Sequence, residues 1–103
     1  SNESKQESEI NTEKIKEIAM GNKGTGKAIL LKDFFEKIKS VSAKSVSGAL
    51  KKSGEKIFAV VIDGTANNTI IQDSEDAGVK VIAAKNFTTT DTNIKLLSFW
   101  TKI

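Results

Sequence analysis

An unbroken apolar run at residues 57–62 is the strongest signal in the hydrophobic pattern, and it predicts a strand covered on both faces of a sheet. A helical spacing follows this run and ends at Gly78. The residues expected on the inner face of that helix are Ile70, Ile71, Ser74 and Ala77. A second apolar run at residues 79–84 predicts the next strand. Because residues 57–84 then form one βαβ unit, the two strands should be parallel.

The segment before this unit permits two interpretations. Residues 28–31 are apolar and predict a buried strand. The apolar positions within residues 34–41 fit a helix, but a turn at Lys32 and Asp33 followed by a strand fits them as well and makes a hairpin. The family resemblance described below favours the hairpin.

Two further elements complete the predicted domain. Ser42 is expected to cap a short helix that ends at Gly54. Residues 94–99 predict the last strand. Together the elements predict an α/β fold, with a small mixed sheet that contains one parallel βαβ unit and is flanked by short helices.

The beginning of the chain is more polar than the rest. Residues 1–9 hold few apolar side chains, and we expect them to be disordered. A loose helical spacing then runs from Ile10 to Ala19, with Asn11 or Thr12 as its cap.

A Gly-rich stretch at residues 21–26 predicts a linker. We therefore expect a flexible N-terminal segment with one short helix at residues 1–26, and a single α/β domain at residues 27–103. The first residue is Ser rather than Met, so the chain is expected to be a fragment of a longer protein.

The composition excludes several kinds of chemistry. The 103 residues include neither Cys nor His, which excludes disulfides, thiolate or imidazole metal sites, and Ser-His or Cys-His nucleophiles. No apolar run approaches the roughly 20 residues that span a bilayer, and no signal-peptide pattern opens the chain. We expect a cytoplasmic domain with no catalytic residue, metal or cofactor of its own.

All sixteen basic residues are Lys, and the formal net charge is +3. Residues 1–17 are net acidic, so the remainder of the chain is more basic than the total indicates. Such a surface can attract an acidic protein or RNA phosphates. The absence of Arg argues against bidentate recognition of bases or phosphates, and a solvated Lys-rich surface is the simpler interpretation.

Residues 21–27 match the phosphate-binding pattern G-x-x-x-x-G-K, but their context argues against a nucleotide site. The next residue is Ala28, where Mg²⁺ binding requires a hydroxyl. A polar, helix-like segment precedes the pattern in place of a buried strand. A strand is expected after it in place of a helix. A plain Gly-rich linker is therefore preferred.

Asp63 lies at the carboxyl end of a predicted parallel strand, where open α/β sheets place their ligands. A small-ligand or anion site there would comprise Asp63, Gly64, Thr65, Asn67 and Asn68. The simpler interpretation is a turn in which Asp63 and Thr65 cap the next helix. Lys85 ends the neighbouring strand and could pair with Asp63, either in an enzymatic centre or, more simply, as a structural ion pair.

A polar loop at residues 86–93 lies on the same sheet edge, and loops in this position often carry function. Phe87 is expected either to be exposed as a binding residue or to cover the core. Trp100 extends past the last strand. The candidate partner-binding residues are Phe87, Thr88, Thr89, Asp91 and Trp100.

Two segments carry a resemblance to a known family. They are residues 58–65, Phe-Ala-Val-Val-Ile-Asp-Gly-Thr, and residues 77–87, Ala-Gly-Val-Lys-Val-Ile-Ala-Ala-Lys-Asn-Phe. Residues 27–53 in addition resemble a hairpin followed by a helix. Over about residues 27–99 the chain resembles the C-terminal domain of archaeal DnaG-type primases.

The resemblance implies a docking role. Proteins of this family make RNA primers with a central Toprim domain that uses Mg²⁺. They are also subunits of the archaeal exosome, to which they attach through its RNA-binding cap subunit, and they favour adenine-rich RNA. The Toprim signature is missing here, because Asp63 is followed by Gly-Thr and not by a second Asp two residues on. No catalytic residue is therefore carried over.

The leading hypothesis is thus an accessory protein-binding domain of a DnaG-type primase that docks its parent protein on the RNA exosome. Direct binding of exosome substrates by a Lys-rich face is the first alternative. A small-ligand or nucleotidyl-transfer enzyme centred on Asp63 is the second.

Overall fold

The computed structural model describes residues 11–99, and at Phe34 only the backbone. Short 3-10 turns at Asp33–Phe35 and Ala43–Ser45 accompany eight longer elements. In chain order these are α1 (Thr12–Asn22), β1 (Lys27–Leu31), β2 (Lys37–Ser42), α2 (Val46–Lys52), β3 (Ala59–Ala66), α3 (Asn68–Asp76), β4 (Val81–Phe87) and β5 (Lys95–Leu97).

The five strands form one mixed sheet in the order β2-β1-β3-β4-β5. Strand β1 is antiparallel to both β2 and β3, whereas β4 is parallel to both β3 and β5. The predicted α/β fold is therefore confirmed. So is the parallel βαβ unit, which consists of β3, α3 and β4.

The hairpin interpretation of residues 34–41 is also confirmed, and a bulge explains their helical spacing. Ile38 and Val41 lie three positions apart in β2, yet both pack against the same core. The register between β1 and β2 shifts at Leu30 and Leu31, which inserts one extra residue into β2. In a regular strand, residues three positions apart face opposite sides of the sheet. The inserted residue brings Ile38 and Val41 onto the same side.

Both faces of the sheet are covered, but unequally. Helices α2 and α3 pack on one face around the larger cluster, which includes Leu50, Val60 and Ile82. Helix α1 packs on the other face, where Ile15 and Ala19 are fully buried. This two-sided cover accounts for the continuous apolar runs of β3 and β4.

Helix α1 begins where the sequence indicated, since the Asn11 side chain accepts a 3.1 Å hydrogen bond from the backbone N–H of Lys14. Helix α1 was expected to belong to a flexible segment at residues 1–26. In the structure its buried residues, Ile15 and Ala19, pack in one core cluster with residues of the sheet. Residues 1–9 lie outside the described part of the chain. Within residues 11–99 no helix combines the length and apolar character needed to cross a membrane.

The cap expected at Ser42 is wrong. Ser42 is the last residue of β2, and a 3-10 turn separates it from α2. Its Oγ lies 3.0 Å from the Oγ of Ser45 and makes no capping bond to the helix backbone. The strand extends further than its apolar pattern indicated, and this displaces the helix start to Val46.

Candidate functional site

Strand β3 is bulged where the sequence placed a ligand site. Its register against β4 shifts between Ile62 and Thr65, so that Asp63 and Gly64 lie opposite a single residue, Lys85. Bulges locally re-aim side chains and often lie beside functional sites. Here the bulge lies near the carboxyl end of a parallel strand.

Asp63 is a buried carboxylate with one satisfied oxygen. Its side chain is 4% exposed. Oδ2 accepts a 2.7 Å hydrogen bond from the backbone N–H of Gly26. Oδ1 lies 3.8 Å from Nζ of Lys85, an ion-pair distance but longer than a hydrogen bond, and it has no hydrogen-bond partner. Lys85 keeps 47% of its side chain exposed, so solvent screens part of the attraction. The structural ion pair expected between these two residues is present.

The Gly-rich stretch at residues 21–26 consists of the last two residues of α1 and a hydrogen-bonded loop, in place of the expected flexible linker. The Asn22 side chain is buried, and its Nδ2 donates to the carbonyl of Lys27 at 2.8 Å. Thr25 Oγ1 lies 2.7 Å from Asn22 Oδ1. Gly26 has a φ of 69°, a conformation that glycine adopts without steric cost. The loop is thus shaped to direct its last N–H towards Asp63.

The context that argued against a nucleotide site is confirmed. Lys27 opens strand β1, so no helix N-terminus follows the G-x-x-x-x-G-K pattern. Helix α1 precedes the pattern where a nucleotide site requires a buried strand.

The five residues predicted to form a ligand or anion site make separate contacts. Asp63 bonds to the Gly-rich loop, and Gly64 lies next to Ala43. Asn67 Oδ1 accepts from the N–H of Ile70 at 2.8 Å and so caps α3. The remaining two are the exposed residues Thr65, within β3, and Asn68, which accepts a hydrogen bond from Thr88.

The expected caps, Asp63 and Thr65, are therefore wrong. Strand β3 continues past its bulge to Ala66, which moves the start of α3 to Asn68 and leaves the cap to Asn67. Asn is among the preferred N-cap residues, so this signal was present in the sequence.

The threonine-rich loop after β4 is fastened to α3. Thr88 Oγ1 donates to Asn68 Oδ1 at 2.8 Å, and Thr92 Oγ1 donates to Glu75. The N–H of Asp91 bonds to Thr89 Oγ1 at 3.1 Å. A depression of about 230 Å³ lies between the loop and the helix, with a polar lining of Asn68, Gln72, Glu75, Thr89 and Asp91 beside Ile71.

Of the two positions expected for Phe87, the structure shows the one that covers the core. Phe87 is the last residue of β4, lies opposite Ala66 and packs half-buried against the larger cluster. Because side chains alternate along a strand, this register turns Phe87 inward. Trp100 lies outside the described residues. In the described range, no group of three or more acidic side chains is placed to hold a metal ion.

A basic surface lies along β2 and the helical segment after it, and the site predictions did not include it. Residues 37–52 contain five lysines and no acidic residue. These lysines lie on β2 and on the helical segment that follows it, and all of them are exposed; we call this set the basic edge: Lys37, Lys39, Lys44, Lys51 and Lys52. Strand β2 is an outer strand of the sheet, and α2 packs next to it.

The charge of the basic edge is not neutralised by the nearest acids. Glu36 and Glu55 flank the stretch, but both face Lys32, with Nζ–Oε1 distances of 3.8 and 3.4 Å. Among residues 11–99, no acidic side chain forms an ion pair with a lysine of the basic edge. The five positive charges therefore remain exposed to solvent.

No known family model matches the sequence, and no curated protein is detectably similar to it.

Proposed function

We propose that this chain is the accessory docking domain of a DnaG-type primase and joins its parent protein to the RNA exosome through the exosome's cap subunit. Primer synthesis and its Mg²⁺ then belong to another domain of the parent protein. The proposal places the protein in the cytoplasm, a reducing compartment whose proteins rarely contain disulfides, and the chain has no cysteine.

The basic edge is the observation that carries a docking function. A run of like charges with no internal counter-charge raises the local potential and attracts an acidic surface. A folded core of this size does not require such a run, since its lysines contribute nothing to the buried clusters. The likeness of residues 27–99 to the primase C-terminal domain supports the identity of the partner.

Binding to the purified exosome cap subunit tests the proposal by titration calorimetry with the full chain. Saturable binding is expected. It should weaken by about tenfold in the variant Lys37→Glu/Lys39→Glu, because rim charges that become repulsive penalise the complex. The matched control is Lys80→Glu/Lys95→Glu, which makes the same charge change near the opposite edge of the sheet, just before β4 and in β5. Absence of binding by the unmodified chain would refute the proposal.

Direct RNA binding is the second candidate, because the same five lysines could contact phosphates. Residues 37–52 contain no aromatic side chain on which a base could stack. An RNA complex would therefore rest on charge alone. Its affinity for oligoadenylate should fall steeply with salt, whereas strong binding that survives high salt would contradict this mechanism.

A further inference from the structure

The backbone of β2 offers hydrogen-bonding groups on its outer side. The N–H of Ala43 donates to the carbonyl of Gly26 at 3.2 Å, and the antiparallel register continues from this pair along β1 and β2. Alternate residues of an antiparallel strand face the partner strand, so the backbone of Val41 faces β1. The N–H and C=O groups of Ser40 and the N–H of Ser42 therefore face away from β1, while the C=O of Ser42 opens the 3-10 turn at Ala43–Ser45.

No other strand in the described range pairs with this outer side. Lys37 and Lys39 are exposed along the strand, and Ile38 and Val41 are half-exposed between and beyond them. The edge thus combines free backbone groups, positive charge and two apolar contact points over six residues.

We infer that the docking partner binds by strand addition: an extended acidic segment pairs with the outer edge of β2 and extends the sheet by one strand. Backbone hydrogen bonds to Ser40 and Ser42 supply the pairing, as in other complexes where a peptide joins a sheet edge. Acidic side chains of the segment lie beside Lys39 on one face of the sheet and beside Lys37 on the other, because these lysines pair with Leu30 and Leu31, which pack on opposite faces. This inference rests on the proposed docking function and specifies its surface and the chemistry of its partner.

Edge strands also carry lysines simply to prevent aggregation, and Lys37 and Lys39 within β2 fit that purpose as well. Here the positive charge continues past β2 to Lys44, Lys51 and Lys52, on the segment packed beside the strand. Protection of the six residues of β2 from aggregation does not require charges beyond the strand. A charged surface that extends past the strand is better explained by an acidic ligand. A nucleic acid would use the charges but not the strand edge.

The test uses a synthetic peptide of Glu-Glu-Val-Val repeats, which carries Glu on both faces when extended. It is labelled with a fluorophore, and its anisotropy is measured with the full chain. The decisive variant is Ser40→Pro, which removes one outward N–H and no hydrogen bond to β1. Ser40→Ala is the matched control because it keeps the N–H. We expect Ser40→Pro to weaken binding by about tenfold and Ser40→Ala to change it by less than about twofold.

Hydrogen exchange gives a second measurement on the unmodified chain, in case Ser40→Pro does not fold. Saturation with the peptide should slow exchange of the Ser40 and Ser42 amides and leave that of Val41, which already faces β1, unchanged. Unaltered exchange at both serines would overturn strand addition. So would an oligoadenylate that binds more tightly than the peptide and is insensitive to Ser40→Pro.

The exosome cap subunit, titrated against the same variants, separates this inference from the proposed function. If the subunit binds and Ser40→Pro matches Ser40→Ala, strand addition is wrong and docking stands. If the subunit does not bind but the peptide binds and is sensitive to Ser40→Pro, the edge is a peptide site and the exosome assignment is wrong. Failure of both ligands to bind overturns both.

Discussion

Asp63 Oδ2 accepts a 2.7 Å hydrogen bond from the N–H of Gly26, a residue that lies 37 positions earlier in the chain. The bond joins the loop after α1 to the bulge in β3. Lys85 approaches the other carboxylate oxygen from β4. One buried side chain thus connects the Gly-rich loop to strands β3 and β4. These structural contacts account for a buried Asp at the bulge, and no ligand is required to explain it.

Two substitutions of Asp63 should destabilise the fold to different extents. Asp63→Asn keeps an acceptor for Gly26 but loses the charge, and it should lower the free energy of unfolding by about 1 kcal/mol. Asp63→Ala also leaves the N–H without its partner and should cost about 2 kcal/mol. Urea denaturation measures both values. Lys85→Met is the control, with an expected cost below about 1 kcal/mol because this lysine is half-exposed. Equal costs for the two Asp63 variants would show that the bond to Gly26 contributes nothing.

Gly48 is a site where the protein can be stabilised. It lies inside α2 with nothing within 4 Å of an added Cβ, so Gly48→Ala should raise the free energy of unfolding by about 0.5–1 kcal/mol. Gly78→Ala is the opposing control. Gly78 has a φ of 82°, and a side chain there should cost about 1 kcal/mol. Thermal unfolding of both variants decides the point, and a melting temperature that falls in Gly48→Ala contradicts the first expectation.

Phe87→Ala distinguishes a core residue from a binding residue. Because the ring packs half-buried against the larger cluster, we expect a loss of about 2 kcal/mol in the free energy of unfolding. Thr90→Ala, at an exposed position of the same loop, should change stability by less than about 0.5 kcal/mol. A Phe87→Ala protein that is fully stable yet no longer binds the cap subunit would restore the role as a binding residue.

Asn67 should be the cap that matters for α3. Asn67→Ala removes the acceptor for the N–H of Ile70 and should cost about 1 kcal/mol. Asn67→Asp retains a side-chain acceptor at the helix N-terminus and should be close to neutral. Chemical denaturation compares the two. Similar losses for Ala and Asp would mean that the side chain acts through another contact.

The apolar pattern predicted the centre of this fold well because burial on two faces leaves a strong mark on a sequence. The apolar runs at residues 57–62 and 79–84 indicated the two strands, although each strand begins two residues later and ends beyond its run. The helix between the runs made a parallel pairing the expected geometry. The bulges could not be predicted from the sequence. An extra residue at Asp63 and Gly64 depends on how β3 and β4 pair, and neither strand alone encodes that register.

The candidate sites could be predicted only in part. Asp63 and Lys85 were paired correctly from their positions at the ends of neighbouring strands. Gly26 could not be anticipated as a partner, since its N–H becomes relevant only when the loop folds over the sheet. The basic edge was visible as five lysines without an acid in residues 37–52, but its meaning depends on the strand order, which places β2 on the outside.

The bond between Gly26 and Asp63 also constrains the order of folding. Helix α1 buries Ile15 and Ala19 against residues of β1, β3 and β4, and an isolated helix of its length is only marginally stable in water. The first helix in the chain must therefore wait for strands that are synthesised later. During synthesis on the ribosome it remains unpacked until β3 and β4 have emerged, and the N–H of Gly26 has no carboxylate to bind before Asp63 is made.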